Sequence, residues 1–217
     1  MNLGTRVTTV NTWWEGMSDE RFWLDVTDRD GRDELLAAPR GEGKDSHSWM
    51  HQLITHIKGG DIVFHYDASQ RAIVAISLAC GRVEKQQLWW PVVGETDGEA
   101  VTRMLRPSWT LALSQPSELN TIVPLDEIAG TQWDIFPALR ALEDEVGDPL
   151  YYPFEMGNRA ATRPLSGFVF KLPAVAVRAV PALARAAERA TRQSAVHELV
   201  PSIRTAPATP QPFAAPS

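Results

Sequence analysis

Two β-rich runs joined by a short polar turn decide the fold of this 217-residue chain: DIVFHY at residues 61–66, DASQR at 67–71 and AIVAISLA at 72–79. The turn has the length and the residue types of a hairpin connection. The second run is apolar on both faces, which is typical of a strand in the middle of a sheet. The sequence therefore predicts a β-hairpin whose second strand is central.

The segments upstream of the hairpin add one strand and one helix. Residues 21–27 alternate between an apolar and a polar side, which predicts a half-buried strand. Residues 28–43 are charged and contain glycine and proline, which predicts a loop. Residues 46–57 carry apolar side chains at helical spacing and precede two glycines, which predicts a short amphipathic helix.

The downstream segments complete an α+β pattern. Further strands are predicted at residues 88–93, 109–113, 150–154 and 167–172. Helices are predicted at 131–146, interrupted or started near Pro137, and at 174–199, broken or kinked at Pro181. Several short strands with few helices between them predict a curved sheet or barrel with helices on its flank. We expect a main domain over residues 1–172, a helical segment over 173–200 and a disordered Pro/Ala-rich tail over 201–217.

The chain is acidic and has a single cysteine. Its 21 basic and 27 acidic residues give a net charge of −6, and basic residues are in excess only after residue 170. Cys80 alone cannot form an internal disulfide, which fits a reducing cytoplasm. No apolar run approaches the ~20 residues of a transmembrane helix. We therefore expect a cytoplasmic protein that does not enter a membrane and binds phosphate only at a local patch or pocket.

Tryptophan is abundant, with eight residues in a chain that has three tyrosines. In the strand at 21–27, Trp23 lies on the side of Asp25 rather than on the apolar side. An aromatic ring beside a carboxylate suits the stacking of a base and acceptance of a hydrogen bond from a cytosine amino group. Two alternatives stay open: Trp23 as second-layer core and Asp25 as a plain surface carboxylate.

Adjacent tryptophans in extended segments point to opposite faces. One ring of Trp13 and Trp14, and one of Trp89 and Trp90, is therefore a candidate for exposure. Trp109 shares a strand face with leucines, which favours a core position.

The polar residues at the end of the first hairpin strand, His65, Tyr66 and Asp67, lie where a barrel pocket would open. On the C-terminal helix, Arg185, Arg189 and Arg192 share one side. That side is either a solvated face or a surface for phosphate.

Metal and nucleophile motifs are not recognisable. His47 and His51 share a helix face, but Ser48 stands where the HExxH motif requires glutamate. No G-x-S-x-G sequence or Cys/His pair indicates nucleophilic catalysis. An HNH nuclease needs clustered histidine and asparagine, and the residues after 172 contain one histidine and no asparagine. The sequence predicts no metal, no cofactor and no catalytic site of its own.

Five stretches taken in order resemble the EVE domain of the PUA-like superfamily. They are RFWLDVT at 21–27, the helix through Trp49, GDIVFHYD at 60–67, AIVAIS at 72–77 and RPLSG at 163–167. The resemblance extends over residues 10–173 and is strongest to the EVE modules of EVE-HNH modification-dependent restriction endonucleases.

The resemblance implies a PUA-like twisted β-barrel of about five to seven strands with flanking helices. It also implies a pocket that takes up one modified base, 5-methylcytosine or 5-hydroxymethylcytosine, flipped out of duplex DNA. The residues at matching or neighbouring positions give the candidate base contacts Trp23, Asp25, Trp49, His65, Tyr66, Asp67 and Ser166, and the candidate phosphate contacts Arg159 and Arg163. Trp49 at helical spacing with Leu53 is equally explained by packing.

By this resemblance the chain is the specificity part of a modification-dependent restriction system, and a fused domain or a separate partner supplies the nuclease. Modified double-stranded DNA is the expected ligand. An RNA-binding PUA-like module that recognises a modified nucleotide is the alternative. An enzyme acting on small nucleotides, or a toxin-like RNase, is a third possibility.

Overall fold

A computed structural model describes residues 12–26, 34–40, 51–91, 103–124, 135–147 and 169–199. The strands are β1 (Phe22–Asp25), β2 (Leu35–Pro39), β3 (Ile62–Asp67), β4 (Ala72–Pro91), β5 (Arg103–Leu113), β6 (Ser117–Pro124) and β7 (Val169–Lys171). The helices are α1 (Ile135–Val146), α2 (Ala174–Ala179) and α3 (Pro181–Leu199), and a 3-10 helix spans Leu53–His56.

The described strands form one mixed sheet in the order β2-β5-β4-β3-β1-β7, and β6 pairs with β4 beside this path. β1 and β3 are parallel, and the other pairs are antiparallel. The 20-residue strand β4 connects the two halves, because its first part pairs with β3 and β6 and its second part pairs with β5. The sheet curls into a half-barrel, so an α+β fold is present as expected.

The central hairpin is confirmed. β3 and β4 pair from Ile62 with Leu78 to Asp67 with Ala72. The Asp67 carboxylate accepts hydrogen bonds from the backbone N–H groups of Ser69, at 2.7 Å, and Gln70, at 3.1 Å. This Asx-type turn fixes the connection between the two strands.

The prediction of a loop across residues 28–43 is wrong at Leu35–Pro39, which form β2. Leu36, Ala37 and Ala38 are buried, and the strand pairs with β5. The composition of residues 28–43 is dominated by charged residues, so the short apolar run within it did not predict a strand. Pairing with β5 and burial of the small side chains stabilise the strand.

Two further strand predictions need correction. Residues 88–91 are the end of β4 rather than a separate strand, because the chain continues from the hairpin through an irregular section. β6 was not predicted, since only Leu119 and Val123 of its eight residues are buried. The predicted strand at 150–154 and the tail at 201–217 lie outside the described residues.

The predicted break in the C-terminal helical segment is confirmed at Pro181, which begins α3 after an extended Val180. Proline suits the first position of a helix because its φ angle is fixed and it has no N–H to leave unpaired. Val177 on α2 and Leu183 on α3 belong to the same hydrophobic core as the sheet. None of the described helices is long and apolar enough to cross a membrane.

Candidate functional site

A cleft of about 730 Å³ opens between the 3-10 helix and the middle of β4. Its volume lies within the ~300–1,000 Å³ typical of small-molecule pockets. It is lined by Arg40, His51, Gln52, Thr55, Ile57, Lys58, Gly59, Gly81, Arg82, Val83 and Trp109. We call this feature the cleft.

The first side of the cleft is the turn at residues 58–61, which Asp61 holds in place. One Asp61 oxygen accepts hydrogen bonds from the Trp23 indole N–H, at 2.9 Å, and from the Lys58 backbone N–H, at 3.0 Å. The Arg21 guanidinium lies 3.8 Å from the other oxygen and donates to the Gly60 carbonyl. Buried Trp23 therefore positions the backbone from which Lys58 projects.

The second side of the cleft is a bulge in β4. Cys80 pairs with Ala112 and Glu84 with Thr110, so four steps along β4 correspond to two along β5. The extra residues belong to the stretch 81–83, which lines the cleft, and Gly81 has a φ angle of +80°. Bulges commonly redirect side chains next to binding sites. Here the bulge brings Arg82 and Val83 to the cleft.

The two sides approach each other closely at a pair of glycines. A Cβ atom on Gly59 would lie 3.0 Å from the Gly81 carbonyl oxygen. Only glycine at position 59 permits this backbone contact without a shift of one side.

The third side of the cleft combines the Trp109 ring with Arg40, and Lys85 lies near the same ring without lining the cleft. Arg40 and Lys85 lie 4.8 and 5.3 Å from the centroid of the Trp109 ring. Arg40 follows β2 directly, and its backbone N–H donates to the Pro107 carbonyl at 2.8 Å. Cations over an indole face are attracted by its quadrupole, which holds Arg40 and Lys85 near the ring.

The charge of the cleft is opposite to that of the chain. Arg40, Lys58 and Arg82 line it, and no aspartate or glutamate is among its described lining residues. The whole chain has a net charge of −6. A concave surface of one sign concentrates its field and attracts ligands of the other sign. The cleft can therefore hold an anionic ligand with a planar aromatic part.

Four of the predicted base contacts are buried away from this cleft. Trp23 is 1% exposed and packs edge-on against Trp14, with ring centroids 5.5 Å apart. Because β1 lies between β3 and β7 and both of its faces are covered, the polar side of the alternating pattern is not a solvent face. Trp23 reaches the cleft only through Asp61.

Asp25, His65 and Ser77 form a buried hydrogen-bonded series across three neighbouring strands. His65 Nδ1 lies 3.2 Å from an Asp25 carboxylate oxygen, and Nε2 lies 2.8 Å from the Ser77 hydroxyl. This connectivity is that of a Ser-His-Asp triad, but Ser77 is 2% exposed. The hollow that it borders has a volume of about 80 Å³, too small for a substrate. The series satisfies buried polar groups and joins β1, β3 and β4.

The other predicted contacts are divided between the core, the hairpin turn and the undescribed residues. Tyr66 is buried and Asp67 organises the turn. Trp49, Ser166, Arg159 and Arg163 lie outside the described residues.

The tryptophan predictions have mixed outcomes. Trp13 and Trp14 are both buried, whereas Trp89 is exposed as one of its pair was expected to be. Trp90 is half-buried and donates to the Ser108 hydroxyl at 2.8 Å. The expectation that Trp109 is core is met in part, because the ring is half-buried and packs against the core but also lines the cleft.

Sequence reasoning missed the cations of the cleft. Lys58 precedes two glycines and Arg82 follows Gly81, so a basic residue beside glycine is the signal that could have indicated them. Within the described ranges, no three His, Cys, Asp or Glu side chains form a group that could hold a metal ion.

Comparisons with known proteins yield structural likenesses without a family. No protein-family model and no curated protein matches this chain. A Pseudomonas putida protein solved by X-ray crystallography is similar at 12% identity, covering 78% of this chain and 99% of that one, with a TM-score of 0.36.

Two other solved structures are similar over shorter parts. Rpa0253 from Rhodopseudomonas palustris, solved by NMR, has 18% identity over 57% of this chain and 74% of its own, with a TM-score of 0.27. Atu2648 from Agrobacterium tumefaciens, solved by X-ray crystallography, has 13% identity over 49% and 68%, with a TM-score of 0.26. Likenesses at these TM-scores support no inference about function.

Proposed function

We propose that this protein is a DNA-binding module that recognises a modified cytosine, 5-methyl- or 5-hydroxymethylcytosine, by accepting the flipped base in the cleft. The observation that carries the proposal is a basic cleft with an indole ring in an otherwise acidic chain. The EVE-like sequence stretches support modified cytosine as the ligand.

The lining residues divide into three roles under this proposal. Trp109 and the Arg40 guanidinium offer planar surfaces on which a base can stack. Lys58 and Arg82 contact the phosphates that flank the flipped nucleotide. Gln52 and Thr55 offer hydrogen-bonding groups for the edge of the base.

The energies of these steps are of similar size. Flipping a base out of a duplex costs a few kcal/mol, and stacking on an aromatic side chain returns about 1–3 kcal/mol. Phosphate contacts and hydrogen bonds to the base edge supply the remainder. Recognition is therefore possible without any chemical step by this chain.

The proposed biological setting is a modification-dependent restriction system in the cytoplasm. A nuclease partner, or a nuclease domain fused to this module, would cut the DNA. Trp23 has a supporting role in this proposal, since its indole N–H fixes Asp61 and thereby the turn that carries Lys58.

The test is a comparison of two duplexes that differ in one methyl group. Fluorescence anisotropy at moderate salt measures the affinity for a duplex with one central 5-methylcytosine and for its unmodified twin. Tighter binding of the methylated duplex supports the proposal. A duplex with 5-hydroxymethylcytosine at the same position is measured in parallel. If neither modified duplex binds more tightly than the unmodified twin, the proposal is refuted.

Two arginine variants distinguish a phosphate contact in the cleft from the general effect of removing one positive charge. Arg82→Ala should weaken binding of both duplexes and reduce the salt slope of log K by about 1, because one phosphate contact is lost. Arg140→Ala removes an exposed arginine on α1 that does not line the cleft, and should leave the slope unchanged.

Competition with RNA tests the alternative. If single-stranded RNA displaces the methylated duplex at lower concentration than unlabelled methylated duplex does, the protein is an RNA-binding module instead.

A further inference from the structure

The strands β4 and β5 extend beyond the rest of the described sheet as a two-stranded arm. We call residues 84–91 of β4 and 103–110 of β5 the arm. β2 pairs with β5 only as far as Ser108, β3 pairs with β4 only as far as Leu78, and β6 pairs with β4 only as far as Ile76. Among the described residues, no third strand pairs with the outer part of the arm.

The outer part of the arm exposes large apolar side chains. Trp89 is 64% exposed, and its register partner Leu105 and the neighbouring Met104 are also exposed. An isolated exposed leucine needs no explanation, whereas a cluster that includes tryptophan marks an interaction surface.

Trp89 and Leu105 lie on the same face of the arm as the aromatic side of the cleft, whereas Met104, next to Leu105 in the strand, lies on the opposite face. Lys85 pairs with Trp109, and Trp89 pairs with Leu105 four residues farther along each strand. Side chains an even number of residues apart share a face, so Trp89 and Trp109 face the same way. At ~3.3 Å per residue the two pairs are about 13 Å apart, close to the ~12 Å width of the DNA major groove.

The two strands of the arm carry more basic than acidic residues, which favours a nucleic acid as the partner of these strands. Lys85, Arg103 and Arg106 outnumber Glu84, the one carboxylate of residues 84–91 and 103–110, and Arg82 lies at the base of the arm; the connecting residues 92–102 add three carboxylates in sequence. A two-stranded β-ribbon fits the major groove of DNA. Apolar side chains of minor-groove DNA-bending proteins insert between base steps, which shows that a side chain of this kind can enter a base stack.

We infer that the arm binds double-stranded DNA and that Trp89 inserts into the base stack beside the flipped nucleotide. This inference rests on the proposed function, because flipping leaves a gap in the stack that an indole can fill. Trp109 holds the base in the cleft, and Trp89 stabilises the duplex that the base has left. Leu105 lies opposite Trp89 at the paired register position.

The experiment compares a duplex with a single strand that carry the same 5-methylcytosine. A single strand has no stack to fill. Trp89→Ala should therefore weaken binding to the duplex by about tenfold and leave binding to the single strand within about twofold. Trp109→Ala should weaken binding to both. Ile122→Ala, which removes an exposed apolar side chain from β6, should change neither.

The possible results separate this inference from the proposed function. Duplex affinity of Trp89→Ala equal to that of the wild type, or equal losses on duplex and single strand, would overturn the role of the arm while leaving the cleft intact. If the wild type does not prefer methylated duplex, the proposed function fails. The loss of affinity that Trp89→Ala causes on unmodified duplex, compared with its loss on single strand, still decides whether Trp89 contributes to duplex binding.

A protein interface is the remaining outcome. Sedimentation of the wild type and of Trp89→Ala without DNA would reveal it. A dimer that the substitution dissociates, with duplex affinity retained, would show that the arm joins two copies of the chain and would overturn the inference.

Discussion

At the scale of single residues, a buried ion pair joins β7 to the segment that leads into β1 and to the start of α2. Lys171 Nζ lies 2.8 Å from a Glu20 carboxylate oxygen and donates to the carbonyls of Phe22 and Leu172. Glu20 also accepts from the Ala174 backbone N–H at the start of α2. Burial lowers the pKa of Lys171, and the carboxylate of Glu20 acts in the opposite direction.

Removal of the ammonium alone should be costly. Lys171→Met leaves the Glu20 carboxylate buried without its cation, and we expect the free energy of unfolding to fall by about 3–5 kcal/mol. Urea denaturation measures this change. The double variant Glu20→Gln/Lys171→Met should recover part of the loss, because no buried charge remains. A single variant as stable as the wild type would contradict the account.

Asp67 should contribute to stability in a pH-dependent way. Hydrogen bonds from the Ser69 and Gln70 side chains lower its pKa to about 2. A carboxyl whose folded pKa lies below its unfolded value stabilises the fold fully above about pH 4, and this contribution is lost as the pH falls toward about 2. In Asp67→Asn, the loss of stability over this pH interval should be smaller than in the wild type.

Chemical denaturation at several pH values measures the two curves. Asp144→Asn, on the exposed surface of α1, is the matched control and should follow the wild type. Parallel curves for Asp67→Asn and wild type would contradict the role of this turn.

Sequence reasoning located the turn residue Asp67 but left Trp23 open between a base contact and second-layer core, and the structure places Trp23 in the core. Hairpin chemistry is local, so the residue types of 67–71 suffice to predict it. Alternation assigns Trp23 to a face, but whether Trp14 and the Lys171 ion pair cover that face depends on residues distant in sequence.

At the scale of elements, the close approach of Gly59 and Gly81 sets the spacing between two sides of the cleft. A methyl group on Gly59 would press on a backbone carbonyl, which cannot rotate away as a flexible side chain can. We expect Gly59→Ala to lower the free energy of unfolding by about 1–3 kcal/mol. It should also weaken binding of methylated duplex, because Lys58 moves with the turn.

Denaturation and anisotropy on the same preparation test this prediction. A Gly59→Ala protein with wild-type stability and wild-type duplex affinity would show that the turn and the bulge are not in tight contact.

Elements with a strong local pattern were predictable and those defined by pairing were not. The hairpin β3–β4 and the break before α3 follow from turn residues and from Pro181. β2 is a short apolar run within a charged stretch and β6 has only two buried apolar residues, so pairing with a partner strand defines both. The bulge at 81–83 interrupts the hydrophobic pattern of β4, so the sequence predicted two separate strands where the structure has one.

At the scale of the whole molecule, the distribution of charge matters more than the net charge. An acidic chain repels nucleic acid at long range, but basic residues are gathered locally: Arg82 of the cleft and Lys85 of the arm lie close together on β4, and Arg40, directly after β2, and Lys58, in the turn at 58–61, line the cleft. A local basic surface within an acidic protein favours specific over indiscriminate binding, since few phosphates are neutralised. The sequence predicted the need for such a patch, but its position depends on how β2, β4 and β5 meet.

The central claim is that the cleft beside Trp109 holds the modified base, and its most direct test is the preference of Trp109→Ala for methylated over unmodified duplex. Stacking worth about 1–3 kcal/mol should be lost, so affinity for the methylated duplex should fall by about 5- to 150-fold. The preference should fall toward one, while Arg140→Ala retains it. A Trp109→Ala protein that binds more weakly but keeps the full wild-type preference would contradict the claim.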